Sequence, residues 1–181
     1  MTTTTFFKDD SILNAKEIVA YYTFAAMGTG AIPVPAASAA IIAENGIMIA
    51  HIASTLGVKI TVENVVASIG TAGTMNLVGR NLFVEGAKLL SWGTGSFWAA
   101  GALMALGAST AGIQTYIIGM IAIEIAKNNG IPLEKKYSNT LIKKAKDGGF
   151  DDFKEEWKEK KPKSPKKPKK PSQDNNDDYW V

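Results

Sequence analysis

From Ile18 to Ala43 and from Leu89 to Ile123 the chain carries no Asp, Glu, Lys or Arg, runs of 26 and 35 residues. Each exceeds the roughly 20 residues that a helix needs to cross a bilayer. Side chains of this kind need hydrocarbon or protein around them. Both runs are interrupted: Gly28, Gly30, Pro33 and Pro35 break the first, and Gly93 and Gly95 fall near the start of the second. These residues favour helix ends and turns over continuation. The spacing therefore predicts a helix over 14–29, a turn at Ile32-Pro33-Val34-Pro35 and a second helix over 36–55, with Gly57 where a helix C-terminal glycine belongs. Pro33 and Pro35 remove two backbone donors and disfavour helix at the residues before them, so the two helices are expected to form a hairpin.

In the second helix Glu44, His51 and Thr55 fall on one stripe, which is expected to tolerate water, while Ile42, Ile49, Ile52 and Leu56 fill another. Thr61 is placed to cap a third helix, with Glu63 in its first turn and a body over 65–84. The last apolar segment, 94–123, holds 17 Ala, Gly, Ser or Thr among its 30 residues, with Gly107, Ala111, Thr115 and Gly119 at successive i+4 positions. Such a ridge lets two helix backbones approach closely, within membranes or in a tightly packed soluble bundle. Gly107 and Gly119 are expected to matter more to that packing than Gly112.

The charge is segregated. Residues 1–134 carry six basic side chains against eight acidic ones, whereas 135–181 carry fourteen lysines against nine acids, so the pI near 9.0 belongs to the C-terminal part. The order of composition predicts a flexible N-terminus over 1–12, a hydrophobic helical domain over 13–134, a charged amphipathic extension over 135–160 and a disordered tail over 161–181. Phe150, Phe153 and Trp157 form an aromatic stripe in the extension, with acids before it and lysines after it, an order that suits the helix dipole. Eight Lys and four Pro in residues 158–171 cannot build a core and read as extended and disordered. At the end, Asp177-Asp178-Tyr179-Trp180-Val181 offers an acidic and aromatic segment; Tyr179, Trp180 and Val181 are candidates for binding a protein partner. The fold class that follows is all-α, a compact bundle of small-residue-rich hydrophobic hairpins with a disordered Lys/Pro-rich tail.

Chemistry is sparse. With no Cys and His51 as the one histidine, thiolate sites, Cys nucleophiles and sites needing two histidines are excluded. Gly28-Thr29-Gly30 and Gly93-Thr94-Gly95 belong to neither phosphate-binding glycine motif and have no neighbouring Lys for a phosphate. Glu44 and His51 stand two turns apart, about 10.5 Å along the axis, beyond hydrogen-bond reach on one helix. Glu124 reads as the end of the apolar segment, because Lys127 and Asn128 follow within one turn. The lysine block could attract anionic lipid or nucleic-acid phosphate, but no folded reading element accompanies it, which argues against sequence-specific nucleic-acid recognition. No catalytic, cofactor-binding or metal-ligating set is assigned. Residues 1–10 lack a basic region before an apolar run, and no cleaved signal peptide is expected.

Over some 110 residues, the order of hydrophobic helix, Ile32-Pro33-Val34-Pro35, Met48-Ile49, Ile52-Ala53, Leu56-Gly57-Val58 and Thr115-Tyr116-Ile117-Ile118-Gly119 resembles the domain-of-unknown-function family numbered 697, found in YcjF-like membrane proteins and attached to Era-like and dynamin-related bacterial GTPases. Ala36 stands where that family commonly has Gly, and Leu56 where it has an aromatic residue. No GTPase domain lies in this chain, so GTP hydrolysis is not carried over. The resemblance implies a helical, membrane-associated accessory module, at the bacterial inner membrane or its cytoplasmic face.

The resulting expectation is a non-enzymatic membrane-associated helical protein, acting beside a separate GTPase, whose cytoplasmic tail tethers a partner. Lys127, Lys135 and Lys136 beyond the last apolar segment favour that orientation by the positive-inside rule. Its partners would be the bilayer and a protein, in a homo-oligomer or hetero-complex. Two other classes share the same features: a helical-hairpin effector that permeabilises a target membrane, and a soluble interaction module whose apolar helices bury one another.

Overall fold

Asp9 and Asp10 open the first helix, α1 (Asp9–Ala31), where two carboxylates in the first turn complement the positive end of the helix dipole. This start lies five residues ahead of the expected one, and residues 9–12 are helical. The helix stops at Ala31. Ile32 adopts an extended conformation, φ −75° and ψ 124°, as a residue before proline prefers. The computed structural model describes residues 7–32, 36–70 and 97–166; Pro33 and Pro35 themselves lie outside them. The second helix, α2 (Ala36–Leu56), follows. Tyr22 bonds His51 and Thr29 bonds Glu44 across the pair, so seven residues forward on α1 correspond to seven residues back on α2. The two helices form an antiparallel hairpin.

Gly57 ends α2 as its position predicts: its φ is +64°, and the next N–H, that of Val58, reaches back to the Ala53 carbonyl at 3.1 Å. Thr61 then caps α3 (residues 62–70), accepting the Asn64 N–H at 3.2 Å while its own hydroxyl donates to Asn64 Oδ1 at 3.2 Å. The remainder of the expected third helix, 71–84, lies outside the described residues. Next comes α4 (Phe97–Lys127), antiparallel to α1. It ends in a left-handed Asn129 and Gly130, whose N–H groups return to the Ala126 and Ile125 carbonyls at 2.9 Å each. A Cβ on Gly130 would stand 2.7 Å from the Lys59 carbonyl oxygen, so only glycine lets the two connections meet.

That meeting is hydrogen-bonded. Asn64 Nδ2 donates to the Gly130 carbonyl at 2.9 Å, and fully buried Ser68 accepts the Leu133 N–H at 2.9 Å while donating to the Asn64 carbonyl at 2.7 Å. Replacing Ser68 by alanine leaves a buried N–H without its acceptor, and a loss of about 1–3 kcal/mol is expected. Chemical denaturation of Ser68→Ala measures it; an unchanged midpoint would show that the 131–134 connection is not held here.

The chain then forms α5 (Lys135–Lys144), turns a corner over Ala145–Gly149 where Gly148 has φ +108°, and enters α6 (Phe150–Lys160). Among the described residues there is helix and no strand, the all-α class that the sequence required. One main core joins Val19 of α1, Met48 and Ile52 of α2, and Ile117, Ile121 and Ile125 of α4. Phe153 and Trp157 of α6 belong to the same core. The charged extension is thus docked on the hydrophobic domain through its aromatic stripe.

Candidate functional site: an apolar hairpin with a polar seam

The closest helix contact is between α1 and α4. A Cβ built on Gly30 would lie 2.6 Å from Ala111 Cβ and 2.7 Å from the Gly107 carbonyl oxygen; one on Gly119 would lie 2.6 Å from Val19 Cγ2. Gly107, Ala111, Thr115 and Gly119 are all buried, and the absence of bulk at Gly119 and Gly30 sets how near the backbones come. Gly30, expected to break the helix, lies inside α1. It is instead the surface that receives Gly107 and Ala111, and its signal was Ala26 at i−4, a small-residue pair on one face of α1. A Cβ on Gly112 would lie 2.5 Å from Met27 Cγ of α1 and 3.0 Å from Phe150 Cζ of α6, the first of these a flexible side chain.

The expected water-tolerant stripe of α2 does not survive folding. His51 is 7% exposed and bonds the Tyr22 hydroxyl through Nδ1 at 2.9 Å, Glu44 is half-buried with Oε1 accepting the Thr29 hydroxyl at 3.1 Å, and Thr55 alone is exposed. Ile42, assigned to the apolar stripe, is 63% exposed. The physical reason lies on α1, which brings Tyr22 and Thr29 to the two polar side chains and makes their burial tolerable. Glu44 and His51 do not meet. Thr23 Oγ1, Asn45 Oδ1, Thr110 Oγ1 and Thr115 Oγ1 of α1, α2 and α4, together with His51 Nε2 and Glu44 Oε2, are buried without a hydrogen-bond partner. The two cross-helix bonds, Tyr22 to His51 and Thr29 to Glu44, form a polar seam between α1 and α2. Among the described residues no three His, Cys, Asp or Glu side chains gather as metal ligands would.

Glu124 sits at the polar end of α4, paired with Lys127 Nζ at 2.6 Å and accepting the Tyr137 hydroxyl at 3.0 Å. Burial, followed by donation to Glu124, raises the Tyr137 phenol above its usual value and keeps it a donor.

Among the described residues, two helices are long and apolar enough to cross a membrane, over Ala39–Leu56 and Met104–Lys127. At ~1.5 Å per residue their 18 and 24 residues span about 27 and 36 Å. Their surroundings differ. Of the α4 window 61% is buried inside the protein, against 39% of the α2 window. The exposed side of α2 is uncharged and includes Ala39, Ala40, Ile42, Ala43, Ile47 and Ser54. α4, by contrast, is covered by α1 and α2, and the Phe153 ring of α6 lies 4.6 Å from that of its Tyr116. Asp151, Asp152, Glu155 and Glu156 face out from α6 along that flank.

The start of the tail is placed rather than free. Lys161 is left-handed at φ 47°, its N–H bonding the Trp157 carbonyl at 3.2 Å, and the Lys163 N–H donates to Glu17 Oε1 at 3.1 Å. A helix-ending turn and a carboxylate on α1 thus meet the backbone at Lys161 and Lys163. Tyr179, Trp180 and Val181 lie outside the described residues. The chain matches no protein-family profile, no curated protein and no solved structure.

Proposed function

We propose that this chain is a non-enzymatic, membrane-associated helical accessory protein that seats the uncharged outer face of α2 in lipid and leaves α5, α6 and the lysine-rich tail in water. The observation that carries the reading is the exposure of Ile42 and Ile47, 63% and 50%, on a helix face without a charge, in a protein whose charged helix packs on α1 and α4. A contiguous apolar face of this kind marks a lipid or protein contact. Lys127, Lys135 and Lys136 just beyond α4 favour a cytoplasmic position for the polar end, at the bacterial inner membrane or on its cytoplasmic face. Action beside a separate GTPase, with the tail tethering a partner, is the role that the sequence resemblance implies.

Carbonate and then detergent extraction of membranes from cells expressing the full chain tests this reading. Wild-type protein is expected in the membrane pellet. The double variant Ile42→Asp/Ile47→Asp, altered at two exposed positions, is expected to move to the soluble fraction, each Asp costing about 2.5–3.5 kcal/mol in hydrocarbon. Burial of 61% of the α4 window favours a second reading, a soluble interaction module. Wild-type protein found wholly in the soluble fraction would establish that alternative and overturn the first.

A further inference from the structure

His51, the one histidine of the chain, stands inside the bundle. Its Nδ1 lies 2.9 Å from the Tyr22 hydroxyl of α1, and its Nε2 is buried without a hydrogen-bond partner. Burial, with Tyr21 and Glu44 nearby, raises the Tyr22 phenol above its usual value, so the hydroxyl keeps its proton. Tyr22 therefore donates to Nδ1 of a neutral ring, which places the ring proton on Nε2. This bond and the one from Thr29 to Glu44 are the side-chain ties of the polar seam between α1 and α2.

No counter-charge is placed to balance a second ring proton. On its own helix the nearest carboxylate is Glu44, seven residues or about 10.5 Å along the axis, and Glu44 Oε1 is taken by the Thr29 hydroxyl. From α1 the facing titratable groups are Tyr22 and, beside it, Tyr21, both phenols. α4 has no charged residue from Phe97 to Ile123, and Glu63, the charged residue of α3, is exposed. Burial accordingly lowers the His51 imidazole below its usual value. The helix that carries it is also the less enclosed of the two long apolar ones, with 39% of its window buried against 61% for α4.

We propose that His51 is an acid-sensitive latch between α1 and α2. Neutral, it accepts the Tyr22 hydroxyl and the pair stays closed; protonated, Nδ1 can no longer accept, the ring carries an uncompensated buried charge, and α2 parts from α1. A His51 on a parted α2 takes its proton near the ordinary imidazole value of about 6.5, above the value of the closed pair. Closure is therefore fully present above that pH and is lost progressively as pH falls below it. The latch goes beyond the membrane-seating reading and does not rest on it, because His51 lies on the inner side of α2 whereas Ile42 and Ile47 are exposed.

Hydrogen exchange of the purified full chain, free of added histidines, at pH 7.5 and pH 5.0 tests the latch, with rates corrected for the intrinsic pH dependence of exchange. Protection of α2 amides is expected to fall roughly tenfold at the lower pH, within the limit set by a free imidazole, while amides of Ile117 and Ile121 in α4 keep theirs. In His51→Gln, whose amide can still accept from Tyr22 and does not titrate, α2 protection should be equal at the two pH values. An equal fall in that variant would assign the acid response to carboxylates such as Glu44 and overturn the proposal. Unchanged α2 protection in the wild type overturns it as well. Should His51→Gln fail to fold, the wild type decides alone: with a single histidine, its imidazole NMR signal is unambiguous, and protonation is expected to coincide with the loss of α2 protection. A ring that protonates while α2 stays protected would reject the latch.

Discussion

Gly30→Leu is expected to be the most damaging single substitution in the α1–α4 pair, lowering stability by about 3 kcal/mol or more, the upper end of overpacking costs. Even the first atom of the new side chain would fall 2.6 Å from Ala111 Cβ and 2.7 Å from the Gly107 carbonyl oxygen. Backbone is the obstacle, so no rotamer change relieves the clash and the helices must separate. Gly119→Leu should follow closely: its contact is the β-branched Val19, whose Cγ atoms stand 2.6 and 2.7 Å from the built Cβ. Gly46→Ala is the control. Nothing lies within 4 Å of a Cβ there, and the change should stabilise helix α2 by roughly 0.5–1 kcal/mol through helix propensity. Thermal denaturation followed by circular dichroism ranks the three. A melting curve for Gly30→Leu that overlays the wild type would reject close packing of α1 on α4.

Trp157→Ala is expected to cost about 3–5 kcal/mol, the range for removing a large aromatic side chain from a core. Trp157 is the last of three buried aromatics on α6, each one turn or so from the next: Phe150, Phe153 and Trp157. Phe153 lies 4.6 Å from the Tyr116 ring and 6.2 Å from Trp157, centroid to centroid, so the stripe forms a continuous apolar seal against α4. Outside it, α6 offers chiefly local pairs such as Lys154 with Asp151 and Lys160 with Glu156, each worth little at a surface. Without the indole, α6 should open before the α1–α2–α4 bundle does. Hydrogen exchange resolves the two events: amides of α6 should lose protection while those of Val19, Ile52 and Ile121 retain theirs. Unchanged α6 protection in Trp157→Ala would mean that the stripe does not hold the extension.

Local signals in the sequence carried the hairpin architecture. A residue before proline leaves the helical region, and Ile32 does; a glycine after an apolar helix adopts the left-handed cap, and Gly57 does; a threonine three residues ahead of Asn64 caps its N–H, and Thr61 does. The small-residue ridge could be placed on one face of α4 from its i+4 spacing, because 3.6 residues per turn leaves no other choice. Its partner could not, since Gly30 stands 77 positions before Gly107 and periodicity says nothing of which helices meet.

The candidate site was less legible for the same reason. On the axis of α2 alone, Glu44 and His51 read as a wet stripe. Antiparallel α1 brings Tyr22 and Thr29 opposite them, and a buried polar group with a hydrogen-bond partner costs little where an unpartnered one costs several kcal/mol, roughly 2–7 by transfer measures. The groove lined by Tyr21, Phe24, Trp157 and Pro162 likewise assembles residues far apart in the chain, beside the bond that the Lys163 N–H donates to the Glu17 carboxylate. By itself the sequence determined helix class, the caps at Gly57 and Thr61, the extended residue before Pro33, the small-residue face and the charge asymmetry, all of which are set by neighbours within a few residues. Tertiary structure alone decided which faces are covered: α6 takes the flank of α1 and α4, the seam closes inside the bundle, and α2 keeps an uncharged side outward, because burial is a property of the whole set of packed helices and not of any one of them.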